Sequence, residues 1–186
     1  MTNATQSLRS EGAQAACILV MGIAGTGKSE IASRLAAALG GVFIEADAYH
    51  SHENVERMSQ GIGLTDEDRW PWLAAVAQAA LGAEGRPVVI ACSALKRSYR
   101  DFLRERIGAF PILYLTGSPE LIGERLTRRR NHFAGGSLLE SQLQTLEPPT
   151  DDEDVVNLDI RLPPDELVAQ VLARLADLNR QGVAVG

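Results

Sequence analysis

The residues best suited to chemistry lie near the start of the chain, in the run Gly22-Ile23-Ala24-Gly25-Thr26-Gly27-Lys28-Ser29. Its spacing, G-x-x-x-x-G-K-S, is that of a phosphate-binding loop, and it stands between the apolar run 17–21 and the helical pattern 31–39. Glycines let the backbone turn tightly, so that its N–H groups and the positive end of the following helix surround phosphate oxygens. The sequence therefore predicts that the chain binds a nucleoside triphosphate.

Each part of this loop has an expected task. Lys28 carries a mobile charge to the β and γ phosphates, and the Ser29 hydroxyl ligates a magnesium ion that also holds those phosphates. The remaining phosphate contacts are expected from the backbone of Gly22, Ala24, Gly25, Thr26 and Gly27. The alternative, a glycine-rich turn that happens to contain Lys-Ser, is the weaker interpretation because a strand and a helix pattern flank the loop. The motif does not identify the phosphate acceptor.

Composition limits the class of protein. The chain has 186 residues with 45% hydrophobic content, which suits one domain, expected over residues 15–180 between loose tails at 1–14 and 181–186. Its formal net charge of −6 argues against a nucleic-acid partner, so an anionic substrate must meet a local basic cluster. No apolar stretch approaches membrane-spanning length. Cys17 and Cys92 stand in apolar runs, which predicts reduced core thiols and favours a cytoplasmic protein.

Apolar runs alternate with helical patterns along the whole chain. Strands are predicted at 17–21, 42–46, 87–92, 110–115 and 155–160, and helices at 31–39, 97–107, 118–130, 137–146 and 164–178. A further helix is expected to start near Asp68, because Pro71 lacks an N–H group and is best tolerated in a first turn. This order predicts a three-layer α/β/α P-loop fold with a five-stranded parallel sheet, whose ligands gather at the carboxyl ends of the strands.

Polar groups converge by topology on that edge of the sheet. Phosphoryl transfer needs a carboxylate near the acceptor hydroxyl, cations for the transferring group and a cover that excludes water. Arg125 and Arg129 are one helical turn apart, so both can face the same phosphate chain, and the residues around 129–148 are expected to form a small lid. The other candidates follow the second and third strands: Asp47, His50, Ser93, Lys96 and Arg100.

Five segments resemble, in order, the motifs of the gluconate kinase family. They are the phosphate loop with Met21, the segment 45–50 (EADAYH) followed by 54–58 (NVERM), the segment 63–73 (GLTDEDRWPWL), the run 92–100 (CSALKRSYR) and the run 129–133 (RRNHF). The resemblance extends from about residue 17 to residue 175. The patterns C-S-A-L-K-x-x-Y-R and D-x-D-R-x-P-W-L are much more specific than the loop alone.

The resemblance implies ATP-dependent phosphorylation of the 6-hydroxyl of D-gluconate, on a fold related to nucleoside monophosphate kinases and often as a homodimer. By position, Lys28, Asp47, Arg125 and Arg129 would be catalytic. Asp47 would activate the hydroxyl and, with Ser29, support magnesium, while Arg125 and Arg129 would also bind ATP. The substrate would be held by Asp47, His50, Arg57, Ser93, Lys96, Arg100 and His132.

Taken alone, several of these residues have simpler interpretations. Asp47 would serve in a turn or cap, His50 as a structural hydrogen-bonding group, and Lys96 with Arg100 as a solvated helix face. Asp66, Asp68 and Arg69 suit helix capping at least as well as substrate binding, and Trp70 and Trp72 suit core packing.

The segment after the second strand departs from the family pattern. Ala46 and Ala48 replace Gly and Phe, and Ser51-His52-Glu53 replaces a Pro-Arg-Arg pattern. Loss of a basic residue at position 53 weakens the expected grip on the substrate carboxylate. The alternatives are therefore another small-molecule kinase of the same fold, acting on shikimate, a nucleoside or another sugar acid, and a nucleotide-dependent switch. A guanine-nucleotide switch needs an Asn-Lys-x-Asp motif, which the sequence lacks.

Overall fold

A computed structural model describes residues 17–129 and 135–183. Five parallel strands form one sheet in the order β2-β3-β1-β4-β5. The strands are β1 Cys17–Met21, β2 Val42–Glu45, β3 Val88–Ala91, β4 Ile112–Thr116 and β5 Val155–Asp159. The helices are α1 Lys28–Leu39, α2 His52–Ser59, α3 Asp66–Gly82, α4 Arg97–Ile107, α5 Pro119–Arg129, α6 Gly135–Thr145 and α7 Pro164–Val183. The predicted five-stranded parallel sheet is confirmed.

The central strand β1 explains the three layers. Successive side chains of a strand point to opposite faces, and all five residues of β1 are buried. Ile18 and Val20 pack into one apolar cluster with residues of α1, α5 and α7, whereas Leu19 and Met21 pack into a second cluster with residues of α3 and α4. A strand that is buried on both faces has a continuous apolar sequence, and residues 17–21 form such a run.

The start of α3 corrects one expectation. The helix begins at Asp66 rather than near Asp68, so Pro71 lies inside the helix instead of in its first turn. Thr65 and Asp68 form a capping box, in which the Asp68 N–H donates to Thr65 Oγ1 at 3.3 Å and the Thr65 N–H donates to the Asp68 carboxylate at 2.8 Å. This cap satisfies the first turn, and the missing N–H of Pro71 falls in the second turn.

The last helix corrects another expectation. Helix α7 continues to Val183, five residues beyond its predicted end at 178, so the expected loose tail at 181–186 is helical as far as it is described. The predicted N-terminal tail at 1–14 lies outside the described residues, as do residues 130–134 of the expected lid. The second predicted strand ends one residue early, at Glu45, where a 3₁₀ turn over Ala46–Tyr49 follows it.

The sheet order places the candidate residues side by side. Strands β2, β3 and β1 are neighbours, and the pairings Glu45–Ala91 and Val20–Ala91 bring their carboxyl ends to one level. The segments that follow these strands therefore meet at one edge: the phosphate loop after β1, the Asp47 turn after β2 and the Ser93 turn after β3.

Candidate active site

The phosphate loop is held against β4 and α5. Gly22 and Gly25 have φ angles of +150° and +87°, which favour glycine. A Cβ atom on Gly22 would stand 2.8 Å from the Leu115 carbonyl oxygen, and one on Gly25 would stand 2.8 Å from Leu126 Cγ. Both positions therefore require glycine for space as well as for backbone conformation.

The polar side chains of the loop divide into inward and outward groups. Thr26 is 2% exposed and its hydroxyl donates to the Ile23 carbonyl at 2.8 Å, so this side chain holds the loop in shape. Helix α1 starts at Lys28, whose Nζ donates to the same carbonyl at 3.2 Å. Ser29 follows in the first turn and is half-buried. The first turn of the helix thus directs its N–H groups and its positive dipole end towards the loop.

The turn after β2 presents Asp47 to solvent and His50 to the core. The His50 ring stacks on Trp72 with 4.3 Å between centroids, and Trp72 Nε1 donates to the Ala46 carbonyl at 2.7 Å. Burial lowers the pKa of His50; the charge of Asp47 opposes this shift and that of Arg69 adds to it. Within the described residues the buried Nδ1 of His50 has no hydrogen-bond partner. Trp72 therefore packs in the core, as expected, and also supports the ring of His50.

The cations predicted for the substrate are paired with carboxylates of α3. Lys96 Nζ donates to both oxygens of Asp66 at 2.8 and 2.9 Å, and the Tyr99 hydroxyl donates to Asp66 at 2.5 Å. The hydrogen bond from Lys96 is the main cause that lowers the pKa of Asp66. Arg57 Nη1 lies 2.9 Å from both oxygens of Asp68. Asp66 and Asp68 therefore do more than cap the helix.

These pairs form one cluster with an excess positive charge. Arg69 Nη1 lies 3.5 Å from Asp66, and its charge also contributes to lowering the pKa of Asp68. Three cations, Arg57, Arg69 and Lys96, thus face two carboxylates, Asp66 and Asp68, which leaves a formal charge of +1. We call these five residues the α3 cluster. In a chain with a net charge of −6, this local excess is suited to a monoanionic group.

Arg100 does not occupy the place that the sequence analysis gave it. Its side chain is 1% exposed, and its Nε and Nη2 donate to the two carboxylate oxygens of Glu153 at 2.7 and 2.8 Å. These contacts contradict both a substrate-binding role and a solvated helix face. Nη1 donates to the carbonyl oxygens of Ala94, Leu95 and Glu147 at 3.1, 3.3 and 3.0 Å.

The buried guanidinium of Arg100 instead supports the turn after β3. Ala94 has a φ of +43°, a left-handed conformation that is uncommon for a residue with a Cβ atom. The hydrogen bonds from Arg100 to Ala94 and Leu95 hold this turn in place. Because Ser93 and Lys96 flank the turn, Arg100 acts as a positioning residue for both.

The two arginines of α5 are only partly described. Arg125 Nη2 donates to the Ile160 carbonyl at 2.6 Å, directly after β5, and makes no hydrogen bond to the phosphate loop among the described residues. Arg129 is the last residue of α5; its side chain and the whole of His132 lie outside the described residues. Contact of these residues with substrate or ATP stays a prediction.

The sequence analysis did not identify two residues that the structure places in contact with the site or with its supporting residues, Gln142 and Glu153. Gln142 of α6 accepts a hydrogen bond from the Ala24 N–H of the phosphate loop at 2.6 Å. Its signal is a polar side chain at helical spacing from Leu139 and Leu146, on an otherwise apolar face. Glu153, the partner of Arg100, forms a capping box with Thr150. The spacing T-x-x-E in the sequence predicts such a box.

The described residues contain neither a ready-made metal cluster nor a candidate membrane helix. Within 17–129 and 135–183, no three His, Cys, Asp or Glu side chains are grouped so that they could hold a metal ion by themselves. In the same residues, no helix combines the length and the apolar character needed to cross a membrane. Cys17 and Cys92 are buried free thiols, as the sequence predicted.

Comparison with known proteins agrees with this geometry. Residues 17–149 match the family model described as AAA domain. A gluconokinase from Gluconobacter oxydans (strain 621H) is 44% identical over 158 residues, covering 83% of this chain and 88% of that protein. The crystal structure of a gluconokinase from Sinorhizobium meliloti 1021 is 48% identical, with a TM-score of 0.80 over 89% of this chain and 94% of that one.

A more distant likeness bears on the alternatives. The crystal structure of a shikimate kinase from Aquifex aeolicus has a TM-score of 0.55 at 19% identity, over 87% of this chain and 96% of that one. At this identity the likeness shows the shared P-loop kinase fold alone. The sequence similarity that extends over most of the chain is to gluconokinases.

Proposed function

The chain belongs to the gluconokinase family, and we propose that it transfers the terminal phosphoryl group of ATP to the 6-hydroxyl of D-gluconate. The observation that carries the proposal is the α3 cluster, with its formal charge of +1, which lies beside the Asp47 turn. Gluconate is a monoanion at neutral pH, so its carboxylate complements this charge, whereas a neutral sugar or nucleoside leaves it unpaired.

On the nucleotide side, the loop amides and Lys28 hold the phosphates of ATP. The oxygens of Ser29 and Asp47 are the hard donors that Mg²⁺ prefers, together with phosphate oxygens, and we assign the ion to these two residues. An Mg²⁺ ion held by these residues would supply positive charge against the charge that develops on the phosphate oxygens during transfer. Arg125 and Arg129 are proposed to stabilise the same charge, with the described contact of Arg125 to Ile160 giving way to the phosphate chain.

On the acceptor side, the carboxylate of gluconate binds at the α3 cluster and Ser93, and its hydroxyl chain runs towards His50. His132 is proposed to close the same pocket. Asp47 orients the 6-hydroxyl and takes its proton while the oxygen attacks the γ-phosphorus. A bond forms between that oxygen and phosphorus, the bond between phosphorus and the β–γ bridging oxygen breaks, and ADP leaves.

An acceptor panel tests this assignment directly. Purified protein with Mg²⁺ and ATP is given gluconate, shikimate, glucose and a nucleoside, and ADP formation is measured. We expect turnover with gluconate well above the others, and loss of turnover by several orders of magnitude in Lys28→Ala. Preferential turnover of shikimate or a nucleoside would replace gluconate as the proposed acceptor.

Asp47→Asn tests the chemical step. An amide still orients a hydroxyl but is a poor proton acceptor, so we expect kcat to fall by about 10²- to 10⁴-fold while the affinity for ATP stays within a few-fold. The control is Asp101→Asn, a partly exposed carboxylate on α4 that lies outside the site. A near-normal kcat in Asp47→Asn would reject Asp47 as the proton acceptor.

We further propose that the enzyme is a cytoplasmic homodimer. The two buried free thiols suit a reducing compartment, and burial raises the pKa of Cys92 to about 12. The dimer is an expectation from the family resemblance. Sedimentation equilibrium is the measurement: a dimer has twice the 20.0 kDa of one chain, and a single species at the mass of one chain would contradict it.

A further inference from the structure

The contact between α6 and the phosphate loop has no part in the mechanism derived above. The Ala24 N–H donates to Gln142 Oε1 at 2.6 Å, across 118 residues of sequence. Ala24 belongs to the loop whose N–H groups are built to receive phosphate oxygens. The carboxamide oxygen of Gln142 thus stands at a position that suits an oxygen of the nucleotide.

This position is at the terminal-phosphate end of the loop. The Nζ of Lys28, the group that reaches the β and γ phosphates, donates to the carbonyl of Ile23, the residue directly before Ala24. In a trans peptide the Ile23 carbonyl and the Ala24 N–H point in opposite directions, so this contact places Lys28 beside the peptide unit that carries the Ala24 N–H. In loops of this type the backbone and the lysine cradle the β and γ phosphates, so the oxygen that replaces Gln142 Oε1 at the Ala24 N–H is expected on the outer phosphates.

Helix α6 holds Gln142 at this place. Leu139, Gln142 and Leu146 are spaced three and four residues apart, so they share one face of the helix. Leu139 and Leu146 pack against the apolar core, and the N–H of Glu147 donates to the Leu95 carbonyl at 2.8 Å. Apolar contacts thus flank the one polar side chain on this face and keep it directed at the loop.

A carboxamide suits both states of the loop. Its oxygen accepts from the Ala24 N–H when no phosphate does, and its Nε2 carries two N–H groups that can donate to a phosphate oxygen. A carboxylate would accept equally well but would repel the phosphates, and an apolar side chain would leave the amide without a protein partner. Glutamine therefore suits a site that alternates between a loop without phosphate and a loop with bound phosphate.

We propose that Gln142 contacts the outer phosphates of bound ATP. In the nucleotide-free enzyme, its oxygen takes the Ala24 N–H. When ATP binds, a γ-phosphate oxygen takes that N–H and the carboxamide turns so that Nε2 donates to the same phosphate. This inference rests on the ATP site of the proposed function and is independent of the acceptor.

The test measures binding of ATP and of ADP, each with Mg²⁺ and without acceptor, by calorimetry. Gln142→Leu is expected to weaken ATP binding by about 10- to 100-fold, the usual effect of losing a hydrogen bond to a charged group, and to change ADP binding less. Gln142→Glu retains an acceptor for the Ala24 N–H, and it is expected to weaken ATP binding further because its charge faces the triphosphate.

The matched controls are Gln144→Leu and Gln144→Glu, on the exposed face of the same helix, which are expected to bind ATP as the unaltered chain does. Equal or tighter ATP binding in Gln142→Leu, or equal losses for ATP and ADP, would overturn the inference. If Gln142→Leu does not fold, ATP and ADP binding to Gln142→Glu are compared instead, and unchanged ATP binding in that variant would overturn the inference. A chain that binds ATP but phosphorylates another acceptor would overturn the proposed substrate and leave this inference standing.

Discussion

At the scale of single residues, the environment of His50 sets its protonation state. Its ring lies on Trp72, and burial lowers its pKa against the opposing charge of Asp47. The neutral ring therefore persists below the ordinary histidine pKa of about 6.5. A neutral imidazole offers one nitrogen as an acceptor and one as a donor, which suits the hydroxyl chain of a sugar acid.

The neutral form of His50 predicts how kcat/KM for gluconate depends on pH on the acidic side. Because the pKa of His50 is lowered, kcat/KM for gluconate should stay level through pH 7 and fall only below about pH 6.5, where protonation removes the acceptor nitrogen. In His50→Asn the amide oxygen does not titrate, so kcat/KM should be lower overall but its acid limb should change. The measurement is the pH profile of both proteins. His52→Asn, at an exposed position, is the control, and an unchanged limb in His50→Asn would contradict the assignment.

At the scale of elements, the Arg100–Glu153 pair joins helix α4 to the turn before β5. Burial raises the pKa of the Glu153 carboxyl, but hydrogen bonds from Arg100 and Arg104 outweigh this effect and lower the pKa to about 2. Arg104 adds a contact of 3.1 Å to the same carboxylate. The pair is therefore charged at neutral pH. Glu153 holds the Arg100 side chain in place, and Arg100 in turn donates to the Ala94 and Leu95 carbonyls of the turn after β3.

The lowered pKa predicts how stability depends on pH. A carboxyl with a folded-state pKa of about 2 and an ordinary value of 4.5 stabilises the fold above pH 4.5 and loses this contribution as the pH falls towards 2. The full contribution is about 3 kcal/mol. Glu153→Gln, which leaves buried Arg100 without its counter-charge, should lower the free energy of unfolding at pH 7 by about 3–5 kcal/mol. It should also flatten the pH dependence in that window.

Urea denaturation at pH 7 and pH 4 measures both effects. Asp151→Asn, an exposed carboxylate in the same turn, is the control and should change the free energy of unfolding by less than about 0.5 kcal/mol. Equal losses for the two variants would show that the pair contributes no more than a surface charge.

At the scale of the whole molecule, the sheet carries the nucleotide and acceptor segments on three neighbouring strands. The chain is acidic overall, yet its only two lysines are Lys28 in the phosphate loop and Lys96 in the α3 cluster. The α3 cluster thus provides a local excess of positive charge in a chain whose net charge of −6 disfavours the binding of general polyanions. Binding of small anions at this edge should be specific and should stabilise the whole domain.

Ligand binding therefore predicts a rise in Tm. Mg²⁺ and ATP at about 100 times the Kd should add about 2.7 kcal/mol, which for a domain of this size raises Tm by about 5–10 °C. Lys28→Ala should lose most of this rise, while Arg128→Ala, an exposed cation on α5, should keep it. Thermal denaturation with and without nucleotide is the measurement. A rise that survives in Lys28→Ala would place the nucleotide elsewhere.

Patterns that are local in the chain were sufficient for the sheet, the phosphate loop and every helix except α2, which was not predicted. The loop is eight consecutive residues with a fixed spacing, and each strand is one apolar run, so neither depends on distant partners. The start of α3 was predicted two residues late because the Thr65–Asp68 capping box stabilises a first turn that Pro71 alone did not indicate. Local patterns thus determined the architecture, and apart from the unpredicted helix α2 their errors lie at the ends of elements.

Only the tertiary structure decided which partner each charged side chain takes. Arg100 and Glu153 are 53 residues apart, Lys96 and Asp66 are 30 apart, and Ala24 and Gln142 are 118 apart. A sequence shows that an arginine or a glutamine is present, but its hydrogen bonds depend on which elements pack together. The sequence by itself therefore determined that a phosphate is bound and on which sheet edge. The packing of distant segments determined that Arg100 supports the site from the core and that Gln142 faces the loop.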